Sequence, residues 1–227
     1  MIRNIDLSKV TDNRLYTKDD IVNISCDGCK GCSDCCKSVG DSIILDPFDM
    51  YNISKATCKS FEALMEDVIE IRLIDNIILP NMMISDETGC KMLDENGRCS
   101  IHALRPGFCR LFPLGRLYDD SGDFKYIYQI HECDRDPKGP ARISDWIGID
   151  DLDRYEAFIK RWHAFTKMLD TYIKGLKDTR KKEHFSWLLI RVFFEPSYDT
   201  EKDFYTQFEE RISSYEENLK SVMDVNR

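Results

Sequence analysis

The residues in this chain with the clearest capacity for chemistry are its cysteines: ten in 227 residues, five of them between Cys26 and Cys36. The run Cys26-Asp27-Gly28-Cys29-Lys30-Gly31-Cys32-Ser33-Asp34-Cys35-Cys36 contains three overlapping pairs with two residues between them: Cys26/Cys29, Cys29/Cys32 and Cys32/Cys35. That spacing lets successive thiolates reach one ion. Cys35 and Cys36 are adjacent, too close along the backbone for an unstrained disulfide to each other. Crowded thiolates repel one another, so a cation that absorbs their charge is the usual reason to hold them together. Gly28 and Gly31 permit left-handed turns that aim backbone N–H groups at sulfur. The subset Cys26, Cys29, Cys32, Cys36 also has the spacing of a bacterial ferredoxin run, although Lys37 stands where that run has proline. The chemistry expected is thiolate ligation of zinc, or of iron as an iron–sulfur cluster; both accept tetrahedral thiolate sets, and spacing does not choose between them.

A second group, Cys90, Cys99, Cys109 and Cys133, is spread over separate segments that only the fold can bring together. Asn96-Gly97 is a tight-turn signal. Were it the tip of a regular hairpin running back to Cys90, that residue would lie about 13 Å along the strand from Cys99. Cys90 and Cys99 therefore share a metal only if the hairpin is short. Cys58 stands apart in a helical stretch and reads as a small buried apolar residue. His102 follows Cys99 at a Cys-x2-His spacing and His131 precedes Cys133, but a lone histidine is more often satisfied by a backbone carbonyl than by a metal. Arg105, Arg110 and Arg116 read equally well as compensators of thiolate charge and as ordinary carboxylate partners.

The elements that must position these residues follow from periodicity. Ile21, Val22 and Ile24 form a short strand after a mixed polar arm. Ser42–Leu45 is a strand candidate, and Asp46-Pro47 opens a helix through Ile53. Phe61–Val68 has helical spacing, and Ile69–Leu79 strand character that ends at Pro80. Ser100 is placed to N-cap a helical turn over Ile101–Leu104, which Arg105-Pro106 ends. Gly115–Tyr118 and Phe124–Ile130 form a hairpin across the Asp-Asp-Ser-Gly-Asp turn at 119–123. After about residue 143 cysteines cease and helical patterns take over: Leu152, Tyr155, Phe158, Ile159, Trp162, Phe165, Leu169, Tyr172 and Ile173, then residues 183–194, then Phe204, Phe208, Ile212, Tyr215, Leu219 and Met223. The expected architecture is α+β, with a cysteine-cluster metal-binding domain over 1–143 and a helical subdomain of about three helices over 144–227.

Composition narrows the function classes. The 42% hydrophobic and 11% aromatic content suffices for a substantial core. A formal charge of −9 argues against a phosphate-tracking surface, so nucleic acid is not an expected partner. Charges through the first 25 residues leave no apolar signal core, and no run approaches the roughly 20 apolar residues of a membrane span. A cytoplasmic location, where thiols stay reduced, is the expectation.

The series Cys29-x2-Cys32-x2-Cys35-Cys36, followed by Cys90-Lys-Met-Leu and then by Gly-Arg-Cys99-Ser-Ile-His-Ala-Leu-Arg-Pro-Gly-Phe-Cys109-Arg-Leu-Phe-Pro, resembles the YkgJ-like CxxCxxCC cysteine-cluster family. The resemblance covers roughly residues 26–135. It implies chelation of zinc or iron, with Cys29, Cys32, Cys35, Cys36, Cys90, Cys99 and Cys109 matching the family cysteines, Cys133 a late one, and Arg105-Pro106 and Arg110 the surrounding motif. His102 stands where the family commonly has tyrosine, which argues against an obligatory ligand there, and Cys26 is an addition to the motif. The same motif set occurs in relatives of flagellin lysine N-methylases, which keeps an enzyme in view; no glycine-rich nucleotide loop or Ser/His/Asp constellation in the sequence supports one. A third expectation is a zinc-stapled module whose helical region meets a protein partner.

Overall fold

The computed structural model describes residues 6–25, 32–38, 42–85, 87–133, 135 and 138–225. It is an α+β chain in which short antiparallel ladders lead into long helices. The N-terminal arm opens with one helical turn, α1 (Leu7–Val10), capped by Asp6. It then runs beside a later strand, β7 (Phe124–Tyr128), through bridges Thr11–Gln129 and Tyr16–Tyr126. β1 (Ile21–Ser25) follows, buries Val22 and Ile24 on one face as its alternation requires, and pairs with β8 (Gly139–Arg142).

A single turn, α2 (Cys35–Ser38), precedes α3 (Pro47–Thr57). The start of α3 is specified locally. Asp46 accepts from the Asp49 N–H, Asp49 accepts from the Asp46 N–H, and Pro47 sits where its missing N–H costs nothing. Cys58 ends α3 in the left-handed region at φ 55°, and it is exposed, where burial was expected. A C-cap position needs that conformation and faces water, which the helical pattern alone did not reveal.

The helical spacing of Phe61–Val68 yields only α4 (Phe61–Leu64), because the chain turns at once to place Val68 against Met83. The strand character that follows is a hairpin, β2 (Ile69–Ile74) with β3 (Ile77–Met82). β3 continues through Pro80, where the sequence had it ending. The Pro80 carbonyl accepts from the Leu45 N–H at 2.9 Å on the side away from β2, so its missing N–H also falls on that side and β2 loses no ladder bond. Ile44 bridges Asn81 there, so the Ser42–Leu45 segment lies beside β3 as expected.

Next come the two-residue strands β4 (Ile84–Ser85) and β5 (Gly89–Cys90), a 3-10 turn over His102–Leu104, α5 (Gly107–Leu111), and the expected hairpin β6 (Leu114–Tyr118) with β7. Ser100 does not cap the 3-10 turn; its hydroxyl donates to the Met92 carbonyl at 2.9 Å. β8 leads through α6 (Ile143–Ile147) into α7 (Leu152–Gly175), α8 (Thr179–Phe193) and α9 (Phe204–Val225).

α7 buries Leu152, Tyr155, Phe158, Ile159, Trp162, Phe165, Leu169 and Ile173, positions three and four apart on one stripe. Trp162, Phe165, Phe193, Phe208 and Tyr215 interlock where α7, α8 and α9 meet. The apolar core does not stop where the cysteines do. Phe48 of α3 packs its ring against Tyr155 at 5.4 Å, Phe158 at 6.1 Å, Phe204 at 5.0 Å and Tyr205 at 5.7 Å. No helix among the described residues is long and apolar enough to cross a membrane.

Candidate metal centre

Three segments far apart in sequence deliver five cysteines to one region. α2 carries Cys35 and Cys36, β5 carries Cys90 with Cys99 just beyond the following turn, and α5 carries Cys109. α2 packs on β4 and β5, and Gly89 makes that approach feasible. Its φ is +73°, and a Cβ there would lie 2.9 Å from Lys37 Cγ and 3.0 Å from the Cys36 carbonyl oxygen. The Asn96-Gly97 turn is tight, with Gly97 at φ +68° and Leu93 bridging Cys99. The Asp94 carboxylate accepts from the Asn96 and Arg98 N–H groups and holds the loop closed. The hairpin is therefore short, which meets the condition for Cys90 and Cys99 to lie together.

The thiols sense one another. Negative charge on Cys35, Cys90 and Cys109 raises Cys36, charge on Cys99 and Cys35 raises Cys90, and charge on Cys90, Cys99 and Cys35 raises Cys109. In Cys36 the first cause is its hydrogen bond to the Cys35 sulfur, followed by burial; in Cys90 and Cys109 burial leads. Cys35 is the exception. The Cys36 thiol donates to it and holds it down at about 7, so the adjacent pair shares a proton. Cys99 is raised by burial, while Arg105 and Arg98 draw it back. Protein-bound thiols that mutually raise their proton affinity are stabilised by a soft cation that displaces the protons, so the chemistry of this donor set suits zinc or iron. Among the described residues, no three cysteine, histidine, aspartate or glutamate side chains are already drawn into a metal-holding group.

Cys26 and Cys29 lie outside the described residues. Cys32 is placed differently from the five. Its sulfur accepts from Arg135 Nε at 3.1 Å and lies 3.3 Å from the Asp34 carboxylate, which also pairs with Arg135. Cys133 follows β7, and its carbonyl accepts from Lys138 at 2.6 Å. His102 is engaged by Arg105, whose Nη1 lies 3.2 Å from the ring Nδ1 and donates to the His102 carbonyl at 2.8 Å. Burial and the neighbouring arginines lower its pKa. His163 stacks on Tyr118 at 3.7 Å, away on α7.

The arginines take three different places. Arg105 opposes the charge of Cys99. Arg110 is buried and spends its guanidinium on carbonyls: Arg105, Ala103, Ile147 and Gly148. Arg116 lies against the rings of Phe124 and Tyr155 and donates to the Tyr155 hydroxyl at 3.3 Å.

Sequence reasoning missed the support behind Cys109. Asp49 Oδ1 accepts from the Gly107 N–H at 2.7 Å, in a buried contact between α3 and α5. Asp46-Pro47 was legible as a helix start, but such a start says nothing of Asp49 or of its partner on a distant loop.

No curated protein and no solved structure matches the chain. Residues 28–134 match the CxxCxxCC family, described as a putative zinc- or iron-chelating domain, so the resemblance carried by Cys29 through Cys133 holds over the segment that contains this centre.

Proposed function

We propose that the chain binds zinc or iron through thiolates of Cys35, Cys36, Cys90, Cys99 and Cys109, joined by members of the 26–32 run and by Cys133. The observation that supports this reading is the mutual electrostatic coupling of five thiols from three separate segments. Cys36, Cys90, Cys99 and Cys109 each hold their proton more tightly for this proximity, and a cation that displaces the protons offsets the charge the thiolates would then carry. Zinc or iron supplies the charge; this chain supplies the seats, through Gly89 under Cys36 and the short turn between Cys90 and Cys99. A reducing compartment such as the cytoplasm suits a set that must remain reduced to ligate.

The test is anaerobic purification followed by elemental analysis for zinc, iron and sulfide. Near-stoichiometric metal is the expected result, and protein carrying neither zinc nor iron would overturn it. Iron with sulfide and absorption near 400 nm, about where thiolate-to-iron charge transfer falls, would assign a cluster. Colourless zinc protein would assign a structural or metal-handling site.

A further inference from the structure

Cys109 sits in a segment whose backbone is fixed by groups from outside the cysteine loops. Gly107, two residues before it, donates its N–H to Asp49 of α3. Arg110, one residue after it, donates to the Ile147 and Gly148 carbonyls at 3.3 and 3.2 Å, tying the segment to the end of α6. Between these ties, Tyr155 of α7, fully buried, presses its hydroxyl onto the Gly107 backbone. A Cβ at Gly107 would lie 2.1 Å from Tyr155 Oη, with ring Cζ next at 3.4 Å. Gly107 has no positive φ, so a backbone demand for glycine does not explain it. Close approach does. Packed interiors transmit such displacements, because neighbours lack room to yield.

We infer that Tyr155 is a positioning residue for the thiol centre: the helical region, through the Tyr155 hydroxyl on Gly107, sets where the Cys109 sulfur stands. This rests on the proposed metal site only for its functional consequence. The positioning itself is a property of the metal-free chain. Tyr155 acts through the α5 backbone, as supporting groups behind a ligand do.

A clash and its relief provide the test, on the full chain. Gly107→Ala brings a methyl against Tyr155 Oη, and Tyr155→Phe removes that oxygen, leaving the ordinary 3.4 Å ring contact. Helix content is followed by circular dichroism, Co(II) affinity and the thiolate-to-cobalt absorption spectrum are recorded, and Cys109 alkylation in metal-free protein is read by peptide mapping. Gly107→Ala, still helical, is expected to weaken Co(II) binding roughly 10- to 100-fold, the range for lost support behind a ligand. It should also change the cobalt spectrum and speed Cys109 alkylation. The double variant Gly107→Ala with Tyr155→Phe should return all three to the values of Tyr155→Phe alone. A helical Gly107→Ala with unchanged cobalt binding and alkylation would overturn the inference, as would a double variant no better than Gly107→Ala. Should Gly107→Ala not fold, the same rescue is read as recovery of folding, and a double variant that also fails to fold counts against it. If the wild-type chain binds no cobalt, the metal-site reading falls while the alkylation comparison still decides the positioning.

Discussion

Asp49 pays an electrostatic cost for its two partners. Burial raises its carboxyl to about 6, against hydrogen bonds from the Gly107 and Asp46 N–H groups and the charges of Arg116 and Arg110, all of which lower it. Burial and the neighbouring Asp49 charge raise Asp46 as well. A carboxyl with a raised folded-state pKa binds its proton more tightly folded than unfolded. Its contribution to stability is therefore present below the unfolded value near 3.8 and is lost as pH rises through about 6. Metal-free protein carrying Asp49→Asn keeps the acceptor for Gly107 without the charge. Relative to wild type it should be more favourable at pH 7 than at pH 5, by about 1 kcal/mol on the linkage relation. Urea unfolding of both proteins at the two pH values measures this, and a stability difference that does not change with pH would refute it. Arg110 makes a separate prediction. Its guanidinium satisfies carbonyls from two segments, so Arg110→Met should leave buried acceptors unpaired and cost about 1–3 kcal/mol. Arg110→Lys, with a point charge in place of a planar fork, should recover only part of that in the same unfolding assay.

Among the elements, the junction of α2 with β5 has little slack. Gly89 combines a positive φ with a close approach to Lys37 and the Cys36 carbonyl, so Gly89→Ala meets both strain and clash. The expected loss is about 1–3 kcal/mol of stability, together with reduced metal content, read from denaturant midpoints and elemental analysis of the same preparation. Wild-type metal content in a destabilised variant would show that α2 seating does not govern the site. This junction also marks what sequence could convey. The cysteines, the start of α3, the β6–β7 hairpin and the three long helices were legible because each is encoded within a few residues, by capping, turn chemistry or period. Gly89 and Gly107 were not, because each is small to admit a neighbour distant in sequence. The same holds for Arg110: its place in the sequence fits charge compensation and carboxylate pairing equally, and its carbonyl partners are brought to it only by the fold. Cys58 was misread since an exposed left-handed cap and a buried helical position have the same local sequence pattern.

For the whole molecule, the composition changes near residue 143 but the packing does not divide there. Phe48, on the cysteine side, shares ring contacts with Phe158 and Phe204, and the Asn76 turn of the β2–β3 hairpin donates to Asp170 of α7 at 2.9 and 2.8 Å. A core continuous across a boundary is expected to make the two sides unfold together. Phe158 is the place to test this, because it touches Phe48 on one side and Phe208 on α9 on the other. Phe158→Ala should cost about 3–5 kcal/mol. In metal-free protein the loss should shift two probes equally: helical circular dichroism, which reports mainly α7, α8 and α9, and the reactivity of Cys35, Cys90 and Cys109, which reports the cysteine side. Coincident transitions in wild type that move together in the variant are the expected outcome. A helical transition that moves while the thiol transition stays in place would show two independent domains. It would also deprive Tyr155 of any hold on Cys109, since a helix free to melt separately cannot fix the backbone it leans on.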